Sequence, residues 1–151
     1  HMSAQQTQLL SQLQTLHTLV GEFHACLEQE SRALAQWPPL GLWPVQEEKV
    51  RLVRDLEAAH DTLNAILKAQ GHDIHGMDAL PAVIAQRWQA IRSDIATCQR
   101  MNATNERCLA KQQQALRQSL ELLVLKLDQD LTYGRQGGFQ GGRRLGTIGR
   151  A

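Results

Sequence analysis

The hydrophobic positions of the chain recur every three or four residues, which is typical of helices that pack against one another. The first row keeps alternating steps of four and three and lacks only position 30, where a glutamate stands. Its members are Leu9, Leu13, Leu16, Val20, Phe23, Leu27 and Leu34. Ser3 followed by Gln6 forms a capping-box pattern, in which each side chain satisfies a backbone N–H of the other residue. The pattern therefore predicts a first helix that begins at Ser3.

A second row follows a segment that must break the first helix. Residues 37–44 contain three prolines, which lack N–H donors and disfavour helical geometry in the preceding residue. So short a connection predicts an antiparallel hairpin, with Pro44 in the first turn of a second helix that ends at Gly71. Lys49 holds the one polar position of this row. Its apolar members are Val45, Leu52, Leu56, Ala59, Leu63 and Ile66.

The third row is the longest, and no proline or glycine interrupts it between Pro81 and Gly134. Asp78 is the predicted cap of this helix, with Pro81 in its first turn. The row consists of Ile84, Trp88, Ile91, Ile95, Cys98, Asn102, Asn105, Leu109, Gln112 and Leu116. The three rows predict an all-α fold over residues 3–133: an antiparallel bundle of three long helices with coiled-coil-like packing. A bend near Asn102 would instead produce four helices.

Asn102 and Asn105 stand where apolar residues are expected in the third row. A buried asparagine weakens a coiled coil but fixes its register. We expect this register-setting role for both residues, and direct contact with a partner is the alternative.

Residues 134–151 form a segment of different composition, rich in glycine and arginine. It cannot bury enough apolar area to offset its ordering entropy, so we expect a disordered tail. The tail has four arginines and no acidic residue, which leaves residues 1–132 with 12 basic and 15 acidic side chains, a net charge of −3. The arginines are sparse and only Phe139 is available for stacking on bases, so no nucleic-acid partner is predicted.

The lengths of the predicted helices do not match. At about 1.5 Å per residue, a first helix of roughly 34 residues spans about 50 Å and a third of roughly 54 spans about 80 Å. The end of the third helix would therefore lack a partner, although six of the nine residues between Ser119 and Leu127 are Leu or Val. One side of it carries Leu116, Leu120, Leu123, Val124, Leu127 and Leu131. We expect this side to bind another protein's amphipathic helix. A fold-back of the helix and a homodimer through this face are the alternatives.

The sequence offers no set of residues for catalysis, a metal or a cofactor. The three cysteines include no C-x-x-C pair, and His72 and His75 around Asp73 lack a third ligand. His60 and Asp61 resemble a phosphotransfer helix only faintly, because the lysine and glycine that follow such a histidine are missing. No apolar run approaches the roughly 18 residues that cross a bilayer, and the N-terminus is rich in glutamine. We therefore expect a cytoplasmic protein without stable membrane insertion.

The order of these features resembles the FlgN family of flagellar export chaperones over roughly residues 9–134. The resemblance rests on the leucine- and glutamine-rich first helix, the lysine-bearing second helix, the pattern N-x-x-N-x-x-x-L at Asn102, Asn105 and Leu109, and the leucine-rich stretch that ends in Thr132-Tyr133-Gly134. The tail and the bulky tryptophan-proline turn do not match the family pattern.

The resemblance implies a protein that keeps hook-associated proteins soluble in the cytoplasm and delivers them to the flagellar export gate. The family's substrate-binding region corresponds to Leu116–Leu131, and its gate-docking tyrosine corresponds to Tyr133. The alternative from a different class is a coiled-coil adaptor of a secretion apparatus that self-associates permanently.

Overall fold

The computed structural model describes the backbone of residues 2–136 and the side chains of residues 2–131. It contains three long helices, α1 (Ala4–Leu34), α2 (Leu42–Ala69) and α3 (Ala82–Gln136), and a short 3-10 helix at Ile74–Ala79. The described residues contain no strand, which confirms the all-α prediction. Because α3 is one uninterrupted helix, the alternative fold with a fourth helix after Asn102 does not form. Most of the predicted tail, residues 137–151, lies outside the described residues.

The helix ends follow local sequence signals, with one exception. The Ser3 side chain accepts from the Gln6 backbone N–H at 3.1 Å, and the Gln6 side chain accepts from the Ser3 backbone N–H at 3.2 Å, which completes the predicted capping box. Gly71 adopts the left-handed conformation that ends α2, with φ 77°. The prediction of Asp78 as the cap of α3 is wrong. Asp78 lies inside the 3-10 helix, and α3 begins at Ala82, directly after Pro81.

Residues 1–106 and residues 107–151 form two separate units, which we call the bundle unit and the distal unit. In the bundle unit, α1 and α2 run antiparallel, because Gln12 bonds the Ala59 carbonyl while Cys26, further along α1, bonds the earlier Val45 carbonyl. The bundle part of α3 runs parallel to α1. Gln14 pairs with Arg87, and thirteen residues further along, the Leu27 carbonyl accepts from Asn105.

The core of the bundle unit is formed mainly by the predicted rows, but Leu67 is completely buried where Ile66 was predicted, and Ile95 is 36% exposed. Leu27, Leu63 and Ile84, one from each long helix, are completely buried. The core cluster comprises Leu9, Leu13, Leu16, Val20, Leu27, Ala59, Leu63, Leu67, Met77, Ile84, Ile91 and Cys98. Met77 comes from the 3-10 helix, so the connection between α2 and α3 contributes to the core as well.

Three polar residues of the rows, one from each long helix, meet one another beside this core. Lys49 Nζ lies 3.1 Å from Glu30 Oε1, and Asn105 Nδ2 donates to the same oxygen at 2.9 Å and to the Leu27 carbonyl at 3.0 Å. The Glu30 side chain is only 4% exposed and that of Lys49 20%. We call Glu30, Lys49 and Asn105 the polar cluster. It links α1 to both of the other long helices, so a shift of either helix along α1 would separate its partners.

Asn102 has different surroundings from Asn105. It is half-buried, and its Nδ2 donates to Glu106 on the same helix at 3.2 Å. Its Oδ1 is buried and has no hydrogen-bond partner. The geometry of Asn105 supports the predicted register-setting role, whereas the described hydrogen bond of Asn102 stays within α3. The role itself stays a prediction for both residues.

The polar cluster predicts a strong dependence of stability on Lys49. In Lys49→Met, the buried Glu30 carboxylate loses its cation, and we expect a loss of about 2 kcal/mol in the free energy of unfolding, below the 3 to 5 of a fully buried pair because Lys49 is partly solvated. Arg51→Met is the matched control, since Arg51 pairs with Glu48 and Asp55 at the surface and its replacement should change stability much less. Urea titrations followed by circular dichroism measure both. Equal losses in the two variants would contradict the assigned role.

Candidate functional site

The candidate site is the leucine-rich part of α3 in the distal unit, residues 116–131, which we call the leucine segment. Leu116, Leu120 and Leu123 are 46%, 48% and 50% exposed. Val124, Leu127 and Leu131 are half-buried. These six residues, the predicted partner-binding set, form the leucine stripe. At about 100° per residue they share one side of the helix, within a sector of roughly 100°.

Two exposed leucines of the same segment were missed by the sequence reasoning. Leu122 and Leu125 are each 59% exposed, more than any member of the leucine stripe. We call them the opposite pair, because their positions at about 100° per residue fall outside the stripe on the far side of the helix. The signal was present in the sequence, since the six Leu and Val residues between 119 and 127 are too dense to fit one face.

The charges of the leucine segment lie between its apolar faces. One flank carries Arg117, Glu121 and Asp128, and the other carries Lys126 and Asp130. The acidic and basic side chains are therefore mixed, and no flank carries a run of one sign. Such a surface favours an apolar helical partner over a nucleic acid or an anionic membrane.

Tyr133, the residue matched to export-gate docking, lies in the last turns of α3. Its side chain lies outside the described residues, so the geometry of this position provides no test of its role. The backbone places it two residues after Leu131, at the end of the leucine segment.

The bundle unit carries two apolar surfaces of its own. A cavity of about 310 Å³ lies among the three long helices and is lined mainly by Leu16, Val20, Phe23, Leu56, Trp88 and Ile95. The turn between α1 and α2 exposes Trp37, Leu40 and Trp43 at 62%, 72% and 70%. The cavity lies within the folded bundle and the turn exposes only three large side chains, whereas the leucine segment presents exposed leucines along several helical turns.

Two of the described titratable groups are thiols with shifted pKa values. Burial raises the pKa of the Cys26 and Cys98 thiols, which keeps them protonated and unreactive at neutral pH. The Asp73 carboxylate accepts from the His75 backbone N–H at 2.9 Å and caps the 3-10 helix. Within residues 2–131, no three His, Cys, Asp or Glu side chains are grouped as metal ligands would be. Among the described helices, none is long and apolar enough to span a bilayer.

A comparison with known families finds a match over most of the chain. The family described as FlgN protein matches residues 2–141, a range that includes the bundle unit, the leucine segment and Tyr133. No curated protein and no solved structure matches the chain significantly. FlgN proteins are flagellar export chaperones rather than enzymes, and they act by binding flagellar proteins. The match covers most of the sequence, and the chain belongs to the FlgN family.

Proposed function

We propose that this FlgN-family protein binds hook-associated proteins in the cytoplasm, keeps them soluble and delivers them to the flagellar export gate. The observation that carries the proposal is the leucine stripe, in which three leucines are about half exposed on a helix of a chaperone-family chain. An amphipathic helix of the client would lie along the stripe with its own apolar face against these leucines.

The size of the hydrophobic gain suits a chaperone that must also release its client. Complete burial of a leucine contributes roughly 1.5 to 3 kcal/mol, so a half-exposed leucine gains about 1 kcal/mol when a client covers it. Several such residues support stable capture, while the losses of freedom on association keep the net affinity moderate. The same contacts cover the client's apolar face, which would otherwise drive its self-association.

The leucine stripe can be tested by replacing Leu120 and Leu123 together with glutamine. Glutamine forms helices about as well as leucine, so α3 should persist while the apolar contact is lost. We expect the affinity for a purified hook-associated protein to fall by about 2 kcal/mol, or roughly 30-fold in Kd. Isothermal titration calorimetry measures the change.

A matched control is Leu40→Gln, which removes an exposed leucine of the turn between α1 and α2. This variant should bind the client as tightly as the unaltered chain. Unchanged affinity in the Leu120 and Leu123 variant would contradict the proposal. Sedimentation of the free chain tests the adaptor alternative. A permanent oligomer whose number of protomers stays the same when the client is added would favour that alternative.

We further propose that Tyr133 contacts the export gate once a client is bound, which would separate capture from delivery. Tyr133→Ala should leave the Kd for the hook-associated protein unchanged and reduce its export in a flagellated host. Tyr133→Phe is the matched control for the aromatic ring. Normal export by the alanine variant, or loss of client binding in solution, would count against a docking role.

A further inference from the structure

We propose that the leucine segment is held between two separate helices of one client chain, one on the leucine stripe and one on the opposite pair. This inference rests on the proposed function and extends it, because it states how many client helices the chaperone engages. It assigns a binding role to Leu122 and Leu125, the two most exposed leucines of the segment.

The leucine stripe and the opposite pair lie on opposite sides of α3. At about 100° per residue, the centre of the opposite pair lies about 180° around the helix from the centre of the leucine stripe. The polar flanks with Arg117 and Glu121 on one side and Lys126 on the other separate the two faces. A helix that is apolar on opposite sides is typical of a helix buried between neighbours, not of one that packs on a single surface.

One partner helix can cover only one face of the leucine segment. Two packed helices have axes about 8 to 10 Å apart and touch along one face of each. A client helix seated on the leucine stripe therefore cannot reach Leu122 and Leu125 on the other side. In a complex with one client helix, these leucines would therefore stay exposed to water, as they are in the free chain, where each is 59% exposed.

The area of the opposite pair favours a client over a second copy of this chain as its partner. Complete burial of a leucine at about 25 cal/mol per Å² corresponds to roughly 60 to 120 Å², so the opposite pair supplies at most about 240 Å². A stable dimer needs about 800 Å² from each partner. A dimer through the stripe would leave the opposite pair uncovered in both copies. A client that already binds the stripe needs only to add this second, smaller contact.

The experiment compares three variants by titration with a purified hook-associated protein. Leu122→Gln with Leu125→Gln tests the opposite pair, Leu120→Gln with Leu123→Gln tests the stripe, and Glu121→Gln is the control on the flank between them. We expect both double variants to weaken binding, each by roughly 30-fold, and the control to bind normally.

The outcomes separate this inference from the proposed function. If the stripe variant weakens binding and the opposite-pair variant does not, only the two-helix arrangement is overturned. If neither variant weakens binding, both the two-helix arrangement and the proposed function are wrong. If the opposite-pair variant instead converts an oligomer of the free chain to monomers without affecting capture, a second copy covers this face and the inference is wrong.

Photo-crosslinking then counts the client helices directly. A photoreactive phenylalanine derivative is placed at position 122 in one sample and at position 123 in another, and the crosslinked client peptides are mapped by mass spectrometry. Two client segments well separated in the client's sequence support the arrangement. Crosslinks from both positions to a single segment overturn it.

Discussion

The constraint that governs this protein is that leucine side chains on a helix need something other than water to lie against. The bundle unit satisfies this constraint internally, since the rows of all three long helices enclose one core in which Leu27, Leu63 and Ile84 are completely buried. The described part of the distal unit is a single stretch of α3, and its leucines at 116, 120, 122, 123 and 125 are about half exposed or more. A folded core and an exposed apolar helix in the same chain fit a protein that binds other proteins through one region while another keeps its structure.

Specificity within the bundle depends on polar groups as much as on the leucines. Leucine rows spaced at three and four residues permit several alignments of neighbouring helices, because a shift of seven residues restores the same contacts. The polar cluster opposes such shifts, because any shift would separate the Glu30 carboxylate from Lys49 or Asn105 and leave it buried without a partner. A fixed alignment of α1 with the bundle part of α3 also determines which residues of α3 are enclosed in the core.

The fold was largely predictable because its signals are local and periodic. The capping box at Ser3, the end of α2 at Gly71 and most of the three apolar rows are visible in the sequence, and the structure confirms them. The start of α3 was not predicted correctly, since a 3-10 helix capped by Asp73 includes Asp78, and α3 begins only after Pro81. Glu30, Lys49 and Asn105 were each visible as an interruption of a row. Their mutual contact was not predictable, because it depends on the alignment of three helices.

The candidate site was predicted in part. A search for one amphipathic face finds the leucine stripe and passes over Leu122 and Leu125, whose exposure became evident only with the coordinates. The most direct test of the whole account is amide hydrogen–deuterium exchange of the chain with and without a purified hook-associated protein. The account predicts that residues 116–131 exchange faster than the bundle core in the free chain and become strongly protected in the complex, with little change at α1 and α2. Protection confined to the bundle unit, with residues 116–131 unaffected, would contradict it.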